Sequence, residues 1–185
     1  AKRVLSEQIE IWERELLYLE SARAFLDEAA SEEDLLEIRD ELWRAGYSSR
    51  LKGYKPQKRL KLRPIKYKTT SGRTVLVGRN NMQNDELTMR TANKEDIWFH
   101  VKDMPGSHVI MVTEGEEPSE RDYTEAAAIA AYYSQATGDL VAVDYTKVKN
   151  IKKPQRAKPG YVIFTHNTTV YVTPSEQAVR ALLPE

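Results

Sequence analysis

Apolar residues in the first fifty positions recur at helical spacing. Leu5, Ile9, Trp12, Leu16, Leu19 and Leu26 follow steps of four and three, broken in the seam by Arg23, and predict a helix over 3–29. Ser31-Glu32-Glu33-Asp34 has the form of a capping box. It predicts a second helix with Leu35, Ile38 and Leu42 on one face and Gly46 as its stop. Two helices joined by a short polar link make an antiparallel hairpin. Its seam is about four heptads long at most, and it is expected to continue in a longer protein. It reads as a spacer or partner-binding arm, or as a helix pair that packs on the following domain.

Beyond the hairpin the period changes from helical to extended. Ile65–Lys68 and Thr74–Val77 flank Ser71-Gly72, a hairpin turn. Further extended runs are 86–90, 97–102, 107–112 and 140–145, and 161–165 and 169–173 flank a second candidate turn at His166-Asn167. One helix interrupts them: Ser119-Glu120-Arg121-Asp122 is another capping box, followed by an alanine-rich run to Gln135. A last short helix is expected from Thr173, with Pro174 at its first position and Glu176 completing the box. The fold class is therefore α+β: a mostly antiparallel sheet with one embedded helix, preceded by a helical hairpin. The expected divisions are a hairpin over 1–50, a connector over 51–68 and an α+β domain over 69–185.

Charge changes this picture more than composition does. The 185 residues carry 28 basic and 28 acidic side chains, yet residues 51–68 hold eight basic and no acidic ones, and residues 145–170 hold six basic and none acidic. Two purely basic segments in a neutral chain point to a local polyanion-binding face, or to segments that neutralise acidic neighbours in the fold. The chain has no cysteine, which excludes disulfides, thiolate metal sites and thiol nucleophiles and fits a reducing compartment. The apolar run 126–133 is too short to span a bilayer. No apolar leader opens the chain, so a cytoplasmic location is expected.

Three constellations could carry chemistry. Gly78-Arg79-Asn80-Asn81-Met82-Gln83-Asn84-Asp85 reads as a turn whose amides suit phosphate or base-edge contacts, with Arg79 supplying charge, or as an Asx-rich loop that satisfies its own backbone. In Asp96-Ile97-Trp98-Phe99-His100-Val101-Lys102, alternation places Trp98, His100 and Lys102 on one face. Pro105-Gly106 then turns the chain. If Lys102 pairs with Gly106, His100 stands opposite His108 and Trp98 opposite Ile110. Such a pair can stack on and hydrogen-bond an unpaired base, or simply fix the turn. A metal site would need further ligands, and only Asp96, Asp103 or the distant His166 is on offer. The third constellation is the loop of Lys147, Lys149, Lys152, Lys153, Arg156 and Lys158, stiffened by Pro154 and Pro159, whose cations can neutralise phosphates.

Taken together, the runs GRNNMQND at 78–85, DIWFHVKDMPGSHVI at 96–110, KKPQRAKPG at 152–160 and YVTP at 171–174 resemble the NFACT-R domain of the RqcH and NEMF ribosome quality-control family. Streptococcal relatives of that family were named fibronectin-binding proteins. The resemblance covers about residues 60–175, and the upstream helices look like the end of the family's central coiled coil. Met82 and Gln155-Arg156 depart from the usual pattern. The resemblance implies an RNA-binding module acting on the large ribosomal subunit. There, family members bind stalled subunits carrying peptidyl-tRNA and recruit charged tRNA for C-terminal tailing.

The leading reading is a tRNA- or rRNA-binding module that is not itself an enzyme and needs no cofactor. Its candidate contacts are Arg79, Asn80, Asn81, Asn84, Trp98, His100, Lys102, His108, Lys149, Lys152, Lys153, Arg156 and Lys158. A fibronectin-binding, adhesin-like protein on the cell surface is the second reading. An RNA-processing enzyme using His100 and His108 is the third.

Overall fold

A computed structural model describes residues 2–47 and 62–184. Two helices, α1 (Lys2–Glu28) and α2 (Glu32–Arg44), form the N-terminal pair. The remainder runs β1 (Ile65–Lys68), β2 (Thr74–Val77), α3 (Asn81–Glu86), a π-helical turn (Leu87–Thr91), β3 (Ile97–Val101), β4 (Val109–Met111), α4 (Glu120–Tyr132), β5 (Val141–Lys147), a 3₁₀ turn (Val148–Asn150), β6 (Ile151–Lys152), β7 (Ile163–Phe164), β8 (Thr168–Val172) and α5 (Glu176–Arg180). Six strands form one antiparallel sheet in the order β1-β2-β4-β3-β5-β8, and β6 and β7 pair separately. The α+β class and the N-terminal helical pair are as the pattern predicts. Most of the basic connector, residues 51–61, lies outside the described residues.

Strand alternation builds two unequal cores. Val75, Val77, Ile97, Phe99, Val101, Val109, Met111, Val141 and Val143 share one face of the sheet and are buried against α4. Ala126, Ala127, Ala130 and Ala131 are small enough to let that helix lie close to the strands, with Ile129 filling the space between. Fully buried side chains such as Phe99 and Ile129 stabilise the fold by about 1.5–3 kcal/mol each. Trp98 and Ile110 alternate onto the opposite face, where Leu87 and Ile151 close a smaller core with Phe164 against it. Ser31 and Ser119 each cap a helix with the reciprocal bond from Asp34 or Asp122, as predicted.

Four expectations are corrected. The run 86–90 is helical rather than extended, because Asn80 caps α3 and the helix continues into the π turn instead of ending as a loop. His166-Asn167 does turn the chain, His166 taking φ 54°. The strands on either side nevertheless go to different sheets, β7 to β6 and β8 to β5. The last helix begins at Glu176, capped by Ser175, whose hydroxyl accepts from Ala178 N–H. Finally, the predicted seam does not meet α2. Leu5, Ile9, Trp12, Leu16, Leu19 and Leu26 are exposed, and the buried strip is Tyr18, Ala22 and Phe25, with Ile38 of α2 also buried. Small and aromatic residues, not the leucine stripe, are what α1 buries.

Candidate nucleic-acid interface

The hairpin of β3 and β4 has the expected register, with Trp98 opposite Ile110 and Phe99 opposite Val109. His100 therefore stands across from His108, their rings edge to face at 5.4 Å. Trp98 stacks on His100 at 5.5 Å and 10°, meets His108 edge to face at 5.2 Å, and lies under Phe164 at 4.9 Å. The turn between the strands is clamped from both sides. Ser107 N–H donates to Tyr133 at the end of α4, and Ser107 Oγ donates to the Gly78 carbonyl at 2.7 Å. Asn84 Oδ1 accepts from His108 N–H, and its amide donates to the Gly106 carbonyl.

Burial favours the neutral form of both histidines. Burial depresses the His100 pKa, and backbone hydrogen bonds at Gly106 and Val101, with Asp144 across the strand, oppose it only partly. Burial lowers His108 much further, with neighbouring His100 and Lys153 adding to the effect. His108 Nδ1 lies 2.8 Å from Thr88 Oγ1. Trp98 and His108 are about 1–2% exposed, so these rings form the floor of the site rather than its contact surface. His100 is only half-buried.

The 78–85 run is not an open turn. Its polar groups dock the helical pair. Arg79 reaches Asp34 at 2.7 Å; Asn80 and Gln83 donate to Glu37 at 2.8 and 3.3 Å; Asn81 and the Met82 N–H donate to Glu41 at 3.0 and 3.2 Å. Asp34, Glu37 and Glu41 are three and four residues apart and so form one stripe on α2. Ser21 of α1 donates to Asn81 Oδ1 at 2.7 Å. Burial alone would raise the Asp34 pKa, but hydrogen bonds from Arg79 and Ser31 outweigh it and hold the carboxyl below its ordinary value. For Glu41 burial wins, and its pKa is raised. Asn80, Asn81 and Asn84 are buried at 1–3% exposure with their amides satisfied inside the protein, which corrects the expectation that they face a ligand. The spacing of the three acids was the missed signal, since an acidic helix face ordinarily reads as solvated.

Acidic neighbours also hold much of the basic loop. Lys147 and Lys149 share Glu95 at 2.9 and 2.8 Å, and these bonds, Lys149 first, lower the Glu95 pKa to about 2. Lys153 bonds both oxygens of Asp85 and the Lys158 carbonyl, while Asp85 also accepts from Gly160 N–H. Lys158 pairs with Glu15 at 3.1 Å and lies over the Tyr18 and Tyr47 rings. Lys102, Lys152 and Arg156 are exposed and make no ion pair among the described residues. A cleft of about 950 Å³ opens between α1, the 101–106 turn and the 154–164 loop, with His100, Lys102 and Arg156 on its walls. Among the described residues no group of three or more His, Asp or Glu is placed to hold a metal ion, and no helix is long and apolar enough to cross a membrane.

Residues 63–166 match the NFACT protein RNA binding domain. The chain is 43% identical over 184 residues to the Rqc2 homolog RqcH of Streptococcus pneumoniae, covering 98% of this chain and 33% of that protein. It is 45% identical over 179 residues to the Rqc2 homolog RqcH of Bacillus subtilis, covering 95% of this chain and 31% of that protein. It thus spans about a third of the length of these relatives. Among solved structures, the C-terminal part of the fibronectin/fibrinogen-binding protein from Streptococcus suis superposes with a TM-score of 0.90 at 41% identity, covering 98% of this chain and 72% of that one. On the sequence match and the shared structure, the chain belongs to the NFACT protein RNA binding domain family.

Proposed function

We propose that this chain is the RNA-binding module of a cytoplasmic ribosome-associated quality-control factor. In that role it binds tRNA or rRNA on stalled large subunits that carry peptidyl-tRNA, and helps recruit charged tRNA for C-terminal tailing. The observation that carries the reading is a set of exposed cations, Lys102, Lys152 and Arg156, that make no ion pair among the described residues and sit on a frame matched to the RNA-binding family. Lys147 and Lys149 add to it. Their bridges to Glu95 are exposed, contribute little, and exchange readily for a phosphate. Lys153 and Lys158 shape the loop, and Arg79 with the three asparagines orients the helical arm. Peptide transfer belongs to the ribosome in this reading, and the chain supplies contacts rather than a reacting group.

Titrating the chain into labelled tRNA at about 50 and 200 mM salt tests the proposal. Affinity should fall steeply with salt, and Lys152→Ala with Arg156→Ala should flatten the slope by about 0.7–0.9 for each phosphate left without its cation. Absence of binding at the lower salt rejects the RNA reading. The likeness to the fibronectin/fibrinogen-binding protein from Streptococcus suis favours fibronectin binding as a second reading. Saturable fibronectin binding that tRNA leaves unaffected would select it.

A further inference from the structure

We propose that the cleft beside α1 takes one unpaired nucleotide, its base laid between His100 and the stem of Lys102 and its phosphate met by Lys102 and Arg156. This rests on the RNA-binding reading and narrows it to a nucleotide class.

The strand register places the three side chains. Lys102 N–H donates to the Ala142 carbonyl at 2.9 Å, which continues the β3–β5 pairing one residue past the strand. Trp98, His100 and Lys102 therefore project from the same face. Trp98 and His100 already stack nearly parallel, and Trp98 is locked beneath Phe164. The next place in the stack, between His100 and Lys102, borders the cleft. Side chains two apart on one face are separated by about 6.6–6.8 Å. A planar base in contact on both sides, at about 3.5 Å each, needs about 7 Å. Met104, Tyr161 and Ile163 supply apolar walls for the rest of the base.

Charge sets the number of phosphates. Lys158 is matched by Glu15, and Asp144 keeps its charge although Thr169 Oγ1 donates to it at 2.5 Å. The lining as a whole sets Arg14, Lys102, Arg156 and Lys158 against Glu15, Asp103 and Asp144, an excess of one positive charge that suits about one phosphate rather than a tract of backbone. A duplex offers its edge here but no free base face, so the occupant is a bulged, looped or terminal nucleotide.

The test uses the 185-residue chain and two RNA hairpins that differ only in one bulged 2-aminopurine nucleotide. The chain should prefer the bulged hairpin by about five- to a hundredfold and quench its fluorescence. His100→Ala should abolish the preference and His100→Phe, which keeps a ring face, should restore it. Lys102→Glu, at an exposed position that leaves the melting curve unchanged, should also abolish it and so covers any misfolding of His100→Ala. Equal, salt-dependent binding of both hairpins overturns the nucleotide site and leaves RNA binding standing. A preference that survives Lys102→Glu and His100→Ala together also overturns it, because the base then sits elsewhere. Failure to bind either hairpin at low salt instead removes the RNA reading itself.

Discussion

Replacing Arg79 by alanine separates a docking role from a phosphate contact. In the structure the guanidinium lies 2.7 Å from Asp34, whose side chain is only 5% exposed against 23% for Arg79. Removing one partner of a buried pair costs about 3–5 kcal/mol. Here Asp34 keeps bonds from the Ser31 N–H, the Ser31 hydroxyl and the Ala30 N–H, and Arg79 is partly solvated, so the expected loss is smaller, about 2–3 kcal/mol. For a chain of this size that lowers Tm by roughly 4–12 °C. Urea denaturation should show a lower midpoint at an unchanged slope. The pH dependence has a definite sign. The folded-state pKa of Asp34 is depressed, so its contribution is complete above the ordinary carboxylate value and vanishes as pH falls through the lower folded value. The gap between the wild type and Arg79→Ala should therefore close in acid. A stability change within about 0.5 kcal/mol, joined to a weaker and less salt-dependent RNA affinity, would refute docking and return Arg79 to the ligand.

Asp85→Ala should weaken RNA binding although it removes a negative charge, because Asp85 holds Lys153 and Gly160 N–H and so shapes the basic loop; fluorescence anisotropy against tRNA reads the sign. Gly160→Ala should destabilise the chain by about 1–3 kcal/mol in thermal melts, since φ is +81° and an added Cβ collides with Asn81 Oδ1. Ser119→Ala should cost about 1 kcal/mol through loss of the α4 cap, again by thermal melt. Burial holds the folded-state pKa of His108 well below its ordinary value, so stability should fall as pH drops below about 6.5, by up to ~1.4 kcal/mol per pH unit, until pH reaches the lower folded value. Urea midpoints measured across that range should flatten in His108→Gln.

Features set by local chemistry were legible in the sequence. The boxes at Ser31 and Ser119 each need only four residues, and Pro105-Gly106 fixes the register that brings His100 opposite His108. Features set by distant partners were not. Asn80 serves equally as the centre of an Asx turn or as a helix cap, and only the docking of α2 on the following residues selects the helix. The leucine stripe of α1 has the stronger heptad signal, yet Tyr18, Ala22 and Phe25 make the buried strip, and Tyr18 meets Tyr47 and Lys158, partners that lie 29 and 140 residues away in sequence. The candidate site divides along the same line. Its exposed cations were readable as such, but pairing removes Lys153 and Lys158 from them, and those pairs lie 68 and 143 residues apart in sequence.

The docking of α2 onto α3 bears on how the module is dissected. The family match begins at residue 63, beyond the end of α2 at Arg44. A fragment cut at that boundary keeps every strand of the sheet but loses Asp34, Glu37 and Glu41. Arg79, Asn80, Asn81 and Gln83 would then face water with their donors unclaimed, beside a basic loop no longer tethered by Glu15. Such a trimmed domain would gain polyanion affinity from groups that the intact chain spends on its own helices. Its RNA binding would report the cut rather than the native surface.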